Sequence, residues 1–428
     1  MERDRRRHDV TRAQRPMIVR VLSVAFAVLC PLVARAADII VDARGNVRTV
    51  ADALAIAKPG DRIVIRAGTY REPTIHVRTP GITIVGDNWP VLDGEGARAV
   101  LIVEADDVTV RGLVLTRTGV SNLEDRAALR VRNARRCVID GNRFRDNLFG
   151  IYLERAMSCV VRDNDLAAHG TSQTTSGNGI HLWNSPSTIV ERNRVAGHRD
   201  GIYFEFSRHG ITRGNVSERN QRYGLHFMYS DSCRYETNDF RDNHSGVAVM
   251  YSRDVAIVGN RFTGAVGGAA YGLLLKEILG GDIARNHFGA NSTGLYLEGS
   301  SRLAVRDNDF LRNGWAARVL ADAEGNRFTG NRFAGNAFDV ATNSRSANST
   351  FDGNWWDAYR GYDLNRDGVG DVPFRPVRLF ALVVEQHPEA LALLRSPFVS
   401  ILDAAERVLP VLTPAALADA RPLMKSPR

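Results

Sequence analysis

Along most of this chain hydrophobic and polar residues alternate in runs too short for a helix. Between Gly141 and Trp356 an apolar residue takes every second place for three to six residues, and then Asn, Gly, Asp or Ser interrupts, the pattern of short strands with one face buried. The runs themselves repeat. "GNRF" at 141 returns as "DNDL", "RNRV", "GNVS", "TNDF", "GNRF", "RNHF", "DNDF", "GNRF" and "GNWW", with asparagines at 142, 164, 193, 215, 238, 260, 286, 308, 331 and 354. Their spacings are 22, 29, 22, 23, 22, 26, 22, 23 and 23 residues. A second beat, "GIYL" at 150, "GIHL" at 179, "GIYF" at 201, "GLHF" at 224, "GVAV" at 246, "GLLL" at 272 and "GLYL" at 294, follows the same series, long intervals included.

Two markers sharing one period predict a solenoid. About 22 residues make one coil of a right-handed parallel β-helix, three short strands and three turns, stacked at ~4.8 Å on the next coil. A leucine-rich repeat would need a Leu-x-x-Leu-x-Leu pattern that the strands lack. Asparagine suits a recurring turn because it tolerates unusual backbone angles and its amide can bond to the coils above and below. The long intervals place loops at 167–178 and 263–271. "VRTVADALAIAKPGDRIVIRAGTY" reads as an amphipathic helix leading into the first strand, a cap over the open end of the solenoid. The expected organisation is a signal at 1–36, a cap and first coils at 37–125, β-helix repeats at 126–357, an acidic Gly-rich closing loop at 358–376 and a helical segment at 377–428.

Composition changes this picture at the N-terminus. Six arginines (Arg3 to Arg15) precede the apolar run Met17 to Val33 and the small-x-small sequence Ala34-Arg35-Ala36, the layout of an export signal cleaved after Ala36. Residues 1–36 hold eight Lys/Arg and three Asp/Glu, so setting them aside takes the formal charge from +8 to +3. The basic balance belongs mostly to the signal and supports no nucleic-acid partner. A periplasmic location follows from an exported chain with no other stretch long enough to span a membrane. Cys137, Cys159 and Cys233 are too few for a disulfide scaffold. Each lies five residues before its asparagine, where other coils carry Val255, Leu303, Thr188 or Gly210, which makes core filler the expected role, with Cys137 and Cys159 stacked on neighbouring coils.

Strand alternation assigns the outward side chains. In the second beat the second place after Gly reads Tyr152, His181, Tyr203, His226, Ala248, Leu274, Tyr296, and the fourth reads Glu154, Trp183, Glu205, Met228, Met250, Lys276, Glu298. Met228 and Met250 should stack outward on adjacent coils, with His226 beside Met228 and His181 further along. Thioether and imidazole are ligands for Cu(I). The alternative is a protein contact surface lined by Met and aromatics, including Trp183, Tyr203, Tyr229 and Tyr251. Composition leaves both open. Near the end, Asp363, Asn365, Asp367, Gly368 and Asp371 follow the first part of a calcium-loop pattern, with Phe374 where the bidentate Glu belongs, so calcium and a tight acidic turn both remain open. Beyond Pro376, helical lengths broken by Pro388, Pro397 and Pro410 carry more apolar residues than a solvated tail needs.

The segments "DGIYFEFS", "RYGLHFMYS", "VAVMYSRD", "YGLLLKE", "GNWWDAYRGYDLNRDGVGDVPFRP" and "SPFVSILDAAERVLPVLTP" together resemble the NosD family, periplasmic β-helical maturation proteins of nitrous-oxide reductase. The resemblance covers essentially the whole chain after residue 36 and is most specific from Asp200 to Glu277. It implies a copper-binding protein, not an enzyme. It also implies work with an ABC-type ATPase and its membrane permease, with a copper chaperone and with the reductase, and membrane association through the transporter. It supplies no ligand set, so His226, Met228, Met250 and His181 stand on register alone. Two other readings remain. A polysaccharide lyase or epimerase would need clustered carboxylates and a base, whereas Glu154, Glu205 and Glu298 are scattered. A metal-free adaptor differs only in what the Met/His patch does.

Overall fold

The computed structural model describes residues 37–408 and 417–427 apart from 122, 171 and 344–348, so the expected signal at 1–36 lies outside the described residues. Among those residues the strands fall into three parallel sheets of 14, 13 and 12 strands. The first sheet runs from Asp38–Val41 to Thr350–Asp352, the second from Thr69–Tyr70 to Trp355–Trp356, and the third from Ile75–Val77 to Phe338–Ala341. The chain visits them in turn, one strand of each per coil, which is the parallel β-helix that the repeat predicts.

The repeated asparagine forms a buried ladder at the turn from the first sheet to the second. Asn238 is typical: its backbone N and Nδ2 both donate to Asn260 Oδ1 at 2.9 Å, and Nδ2 also donates to the Thr212 carbonyl at 2.9 Å. Its own Oδ1 accepts from Asn215 N and Nδ2. Every polar atom of the amide is thereby used inside an apolar core, where an unmade bond costs about 1–3 kcal/mol. The expectation that asparagine itself takes the unusual backbone angle needs correcting. The left-handed residue is the one before it, as at Gly214 (φ 62), Thr237 (φ 52) and Gly259 (φ 68), which accounts for the frequent Gly-Asn pair.

The phenylalanine of the motif faces inward. Phe240, Phe262, Phe288, Phe310, Phe333 and Trp356 form one stack with centroids 4.1–5.6 Å apart. The glycine of the second beat is needed for space. A Cβ at Gly294 would stand 2.6 Å from the Ala316 carbonyl of the next coil, and one at Gly224 would stand 2.8 Å from that of Gly246. Cys137, Cys159 and Cys233 sit in the core at 0–1% exposure as free thiols, and burial pushes the Cys233 thiol up to about 12.

Both ends are capped. The N-terminal helix Val50–Ile56 has Thr49 Oγ1 accepting from Asp52 N at 3.0 Å, while Glu72 accepts from Val50 N and Ala51 N at 2.8 and 3.0 Å. This helix does not precede the first strand, as the sequence suggested. Asp38–Val41 comes before it and pairs with Arg62–Ile65, so the helix is an excursion between two coils. At the far end Asp419, fully buried, accepts from Gly353 N, Asn354 N, Asn354 Nδ2 and Trp356 Nε1 at 2.9–3.0 Å. A carboxylate is acceptor-only, so it ends a ladder that would otherwise ask for another asparagine. Helix Leu379–Gln386 covers the last coils of the third sheet, with Phe380 against Phe338 and Glu385 bound to Arg318 at 2.6 Å. Helix Pro397–Val408 packs beside it through Val399 and leaves Phe398 and Ile401 exposed. No helix among the described residues is long and apolar enough to cross a membrane.

Candidate metal-binding face

The third sheet presents the predicted columns in the predicted register. Tyr152, His181, Tyr203, His226 and Ala248 are successive Cα partners, and so are Glu154, Trp183, Glu205, Met228, Met250, Lys276 and Glu298. Adjacent partners are ~4.8 Å apart, and residues two apart on one strand ~6.8 Å. Met228 and Met250 therefore lie side by side and half-buried, with His226 on the same face of the strand that carries Met228.

Outward does not mean open in the second column. His226 is 6% exposed and His181 9%, because the rings of this column cover one another. Tyr152, His181, Tyr203, His226 and Tyr223 follow at centroid distances of 4.4, 4.7, 4.9 and 4.8 Å. Tyr203 lies between the two histidines and gives its hydroxyl to Met228 Sδ at 3.6 Å. His181 is thus two coils from His226. The four residues expected to act together divide into His226, Met228 and Met250 on one side and His181 on the other. His181 Nδ1 meets Asn178 Nδ2 at 3.2 Å, and burial, with Arg199 nearby, pushes its pKa down to about 3, so the ring is neutral at physiological pH.

His226 has a distinctive backing. Its Nδ1 lies 3.3 Å from Arg222 NH2 and 3.6 Å from Asp200 Oδ2, against an ion pair that is closed by Arg222 Nε donating to Asp200 Oδ1 at 2.8 Å. Burial works to raise the Asp200 pKa, but the bonds from Arg222 and His226 outweigh it and hold the carboxyl low. His226 Nε2 is buried and has no hydrogen-bond partner among the described residues. The donor set is two thioethers and one free imidazole nitrogen, which matches Cu(I). Among the described residues no three His, Cys, Asp or Glu side chains form a metal group.

The Met-Tyr-Ser triplets separate into three environments. Met228 and Met250 face out from the sheet. Tyr229 and Tyr251 occupy the following turn at φ 49 and 54, exposed and stacked at 5.1 Å, and Phe206 extends this row at 5.2 Å. Ser230 and Ser252 turn inward, and Ser230 N donates to Ser252 Oγ at 2.9 Å. Sequence reading missed Phe206, although its place just after Glu205 in the fourth column marks it. The same turn place carries Arg155, Asn184 and Glu277 at φ 50, 48 and 55, so the left-handed angle belongs to the turn, and the exposed aromatic row is what sets these three coils apart. Of the other residues expected in partner contact, Trp183 and Tyr203 are half-buried, Trp183 beneath Arg155 at 5.2 Å.

The acidic loop bonds to itself. Asp363 accepts from Gly368 N at 2.9 Å, Asp367 from Val369 N at 2.8 Å and Asp371 from Leu364 N at 2.7 Å, while Asn365 donates to Asp367 at 3.0 Å. These bonds tie the loop together and leave calcium and a tight acidic turn both open. The outward glutamates are scattered, as expected. Glu154 is bound to Arg132 at 3.0 Å and Glu298 to Lys276 at 2.7 Å, and the three lie two or more coils apart.

Over residues 165–361 the sequence matches the family described as "Periplasmic copper-binding protein (NosD)". Two relatives, each named "Probable ABC transporter binding protein NosD", align along most of the chain. One from Pseudomonas aeruginosa is 30% identical over 355 residues, 78% of this chain and 82% of the relative. One from Stutzerimonas stutzeri is 31% identical over 390 residues, 79% and 81%. Among solved structures, the A-module of mannuronan C-5 epimerase AlgE6 from Azotobacter vinelandii has a TM-score of 0.60 at 16% identity, covering 71% of this chain and 92% of that one. The catalytic unit of the GH87 alpha-1,3-glucanase from Streptomyces thermodiastaticus has 0.58 at 14%, covering 72% and 65%. At such identities the likeness is one of fold alone.

Proposed function

The chain belongs to the NosD family, and from that premise we propose that Met228, Met250 and His226 receive Cu(I) on the outer face of the third sheet and present it during maturation of nitrous-oxide reductase. The supporting observation is the register that places two half-buried thioethers side by side, next to a buried imidazole whose Nε2 is unpartnered. Thioethers bind Cu(I) through soft sulfur without a proton to lose, so loading and release need no proton transfer at sulfur. Asp200 and Arg222 fix the His226 ring from behind. The Tyr203 and Tyr223 rings keep water from its flanks, and the open side of Met228 and Met250 leaves a route for a partner.

On this reading the protein is a periplasmic binding and assembly module and not an enzyme. A copper chaperone supplies the ion, the reductase accepts it for its copper-sulfide centre, and Phe206, Tyr229 and Tyr251 flank the transfer point as a contact surface. The name of the two relatives, ABC transporter binding protein, supports docking to a permease and ATPase complex. Leu391, Leu393, Phe398 and Ile401, exposed on the C-terminal helical segment, are the apolar side chains suited to that contact. Membrane association then comes through the transporter. Copper K-edge absorption of the Cu(I)-loaded protein tests the ligand set. Sulfur scattering is expected in the wild type and lost in Met228→Ile/Met250→Ile, and a first shell without sulfur in the wild type would refute it.

A further inference from the structure

A second cluster lies at the turn from the second sheet to the third, lined in part by residues 168–170 and 175–177 of the insertion. A cavity of about 250 Å³ there is lined by Asp146, Asn147, His169, Ser176 and His198, among others. His198 forms its floor at 1% exposure, and neither ring nitrogen has a hydrogen-bond partner among the described residues. His169 is on the rim, and its Nδ1 is held by Asp146 Oδ1 at 2.7 Å, which leaves Nε2 free. A carboxylate fixing one nitrogen of a histidine so that the other points to an ion is a recurring device of metal sites.

The repeat itself marks His198 as out of place. The turn from the second sheet to the third carries its own asparagine ladder, in which Asn220 Nδ2 donates to Asn243 Oδ1 at 2.9 Å and Asn291 Nδ2 to Asn313 Oδ1 at 3.1 Å. His198 holds the same ladder place, since its backbone N donates to Asn220 Oδ1 at 3.0 Å, as Asn220 N does to Asn243 Oδ1. The side chain gives none of the bonds that an asparagine would. An imidazole stands where a satisfied amide would be more stable, one coil after the insertion that brings a second histidine to the same cavity.

We propose that His169 and His198 form a separate Cu(I) site, a two-imidazole pocket with Asp146 as the positioning residue for His169. Imidazole suits copper, zinc and nickel alike, but zinc sites take three or four protein ligands, and no third His, Cys, Asp or Glu completes a metal group here among the described residues. Two imidazoles suffice for Cu(I), which accepts low coordination numbers. The inference shares only the family's copper chemistry with the sulfur face and does not depend on that face.

The test uses the full chain carrying Met228→Ile/Met250→Ile, so that the imidazole site is read alone, with and without His198→Asn. Asparagine restores the ladder residue, so thermal stability should hold or rise and misfolding cannot imitate the result. Anaerobic Cu(I) titration against a competing chelator is expected to give one equivalent with nitrogen-only scattering in the double variant. That equivalent should be lost on adding His198→Asn, and its affinity should fall at least tenfold on adding His169→Ala. Binding that ignores His198→Asn overturns the proposal, as does a double variant without copper when the wild type binds it. In the first case the sulfur face keeps its standing, and in the second it gains the whole of the copper. Zn(II) displacing Cu(I) from the site would overturn the choice of metal.

Discussion

Replacing Asp419 tests whether the asparagine ladder is a continuous load path that needs a terminator. In Asp419→Ala five donors, Gly353 N, Asn354 N, Asn354 Nδ2, Trp356 Nε1 and Arg421 N, lose acceptors at 2.9–3.1 Å. Asn354 and Trp356 are sealed at 0% and 1% exposure. Three of the donors, Asn354 N, Asn354 Nδ2 and Trp356 Nε1, are buried, and at about 1–3 kcal/mol each the penalty with the chain left in place is at least about 3 kcal/mol. The protein has a milder response, which is to release residues 417–427 and let water reach the ladder. The Arg421–Asp352 pair that also holds this segment is exposed and adds only about 0–1 kcal/mol. Hydrogen exchange should therefore rise first in the segment around Asp419 and Leu423 and in strand Trp355–Trp356, with earlier coils still protected, and the urea midpoint should fall. Asp419→Asn keeps one acceptor oxygen but turns an NH2 toward Gly353 N or Arg421 N, so it should fall between the two. Unchanged exchange at Trp355 and Trp356 in Asp419→Ala, with stability within about 0.5 kcal/mol of wild type, would refute the ladder argument.

Two further perturbations follow from the packing. Gly294→Ala puts a Cβ 2.6 Å from the Ala316 carbonyl, so the coils must part, and urea unfolding should show a loss of about 1–3 kcal/mol; no loss would mean the second-beat glycines are not there for space. Burial holds the Asp339 carboxyl up to about 6. An acid with a folded pKa above its unfolded value stabilises the fold when protonated, so that stability is full below about pH 4 and is lost as pH rises to about 6. Asp339→Asn should therefore stabilise the protein at pH 7 by up to about 3 kcal/mol and by nothing at pH 3.5, and an equal effect at both pH values would remove charge burial as the cause.

The architecture was legible because each coil repeats the same physical requirements: an amide for the ladder, a ring for the core stack and a glycine where backbones approach. The same regularity gave the outward columns, and Met228 beside Met250 follows from counting alone. What counting could not supply is burial across coils. His181 and His226 are covered by Tyr152 and Tyr203, which belong to neighbouring coils, so the histidines face outward without being open. The ends were also hidden. Asp419 is more than 60 residues from the asparagine that it caps, and nothing in the local sequence "LADARP" marks it. The helix Val50–Ile56 was recognised by its pattern, but the strand before it was too short to stand out. His198 lay in a position that could have been flagged, since five residues after Asn193 stands a histidine where the same step from Asn215 and Asn238 reaches Asn220 and Asn243.

The measurement that bears most directly on the central claim is the affinity of the metal-free wild type for Cu(I), by anaerobic chelator competition, beside Met228→Ile/Met250→Ile and the same pair with His226→Ala. The sulfur face predicts tight binding in the wild type, a fall of at least tenfold for the high-affinity ion in the double variant, and a further fall with His226→Ala, with circular dichroism unchanged throughout. Equal affinity in all three proteins would contradict it and leave the face as a surface for docking alone.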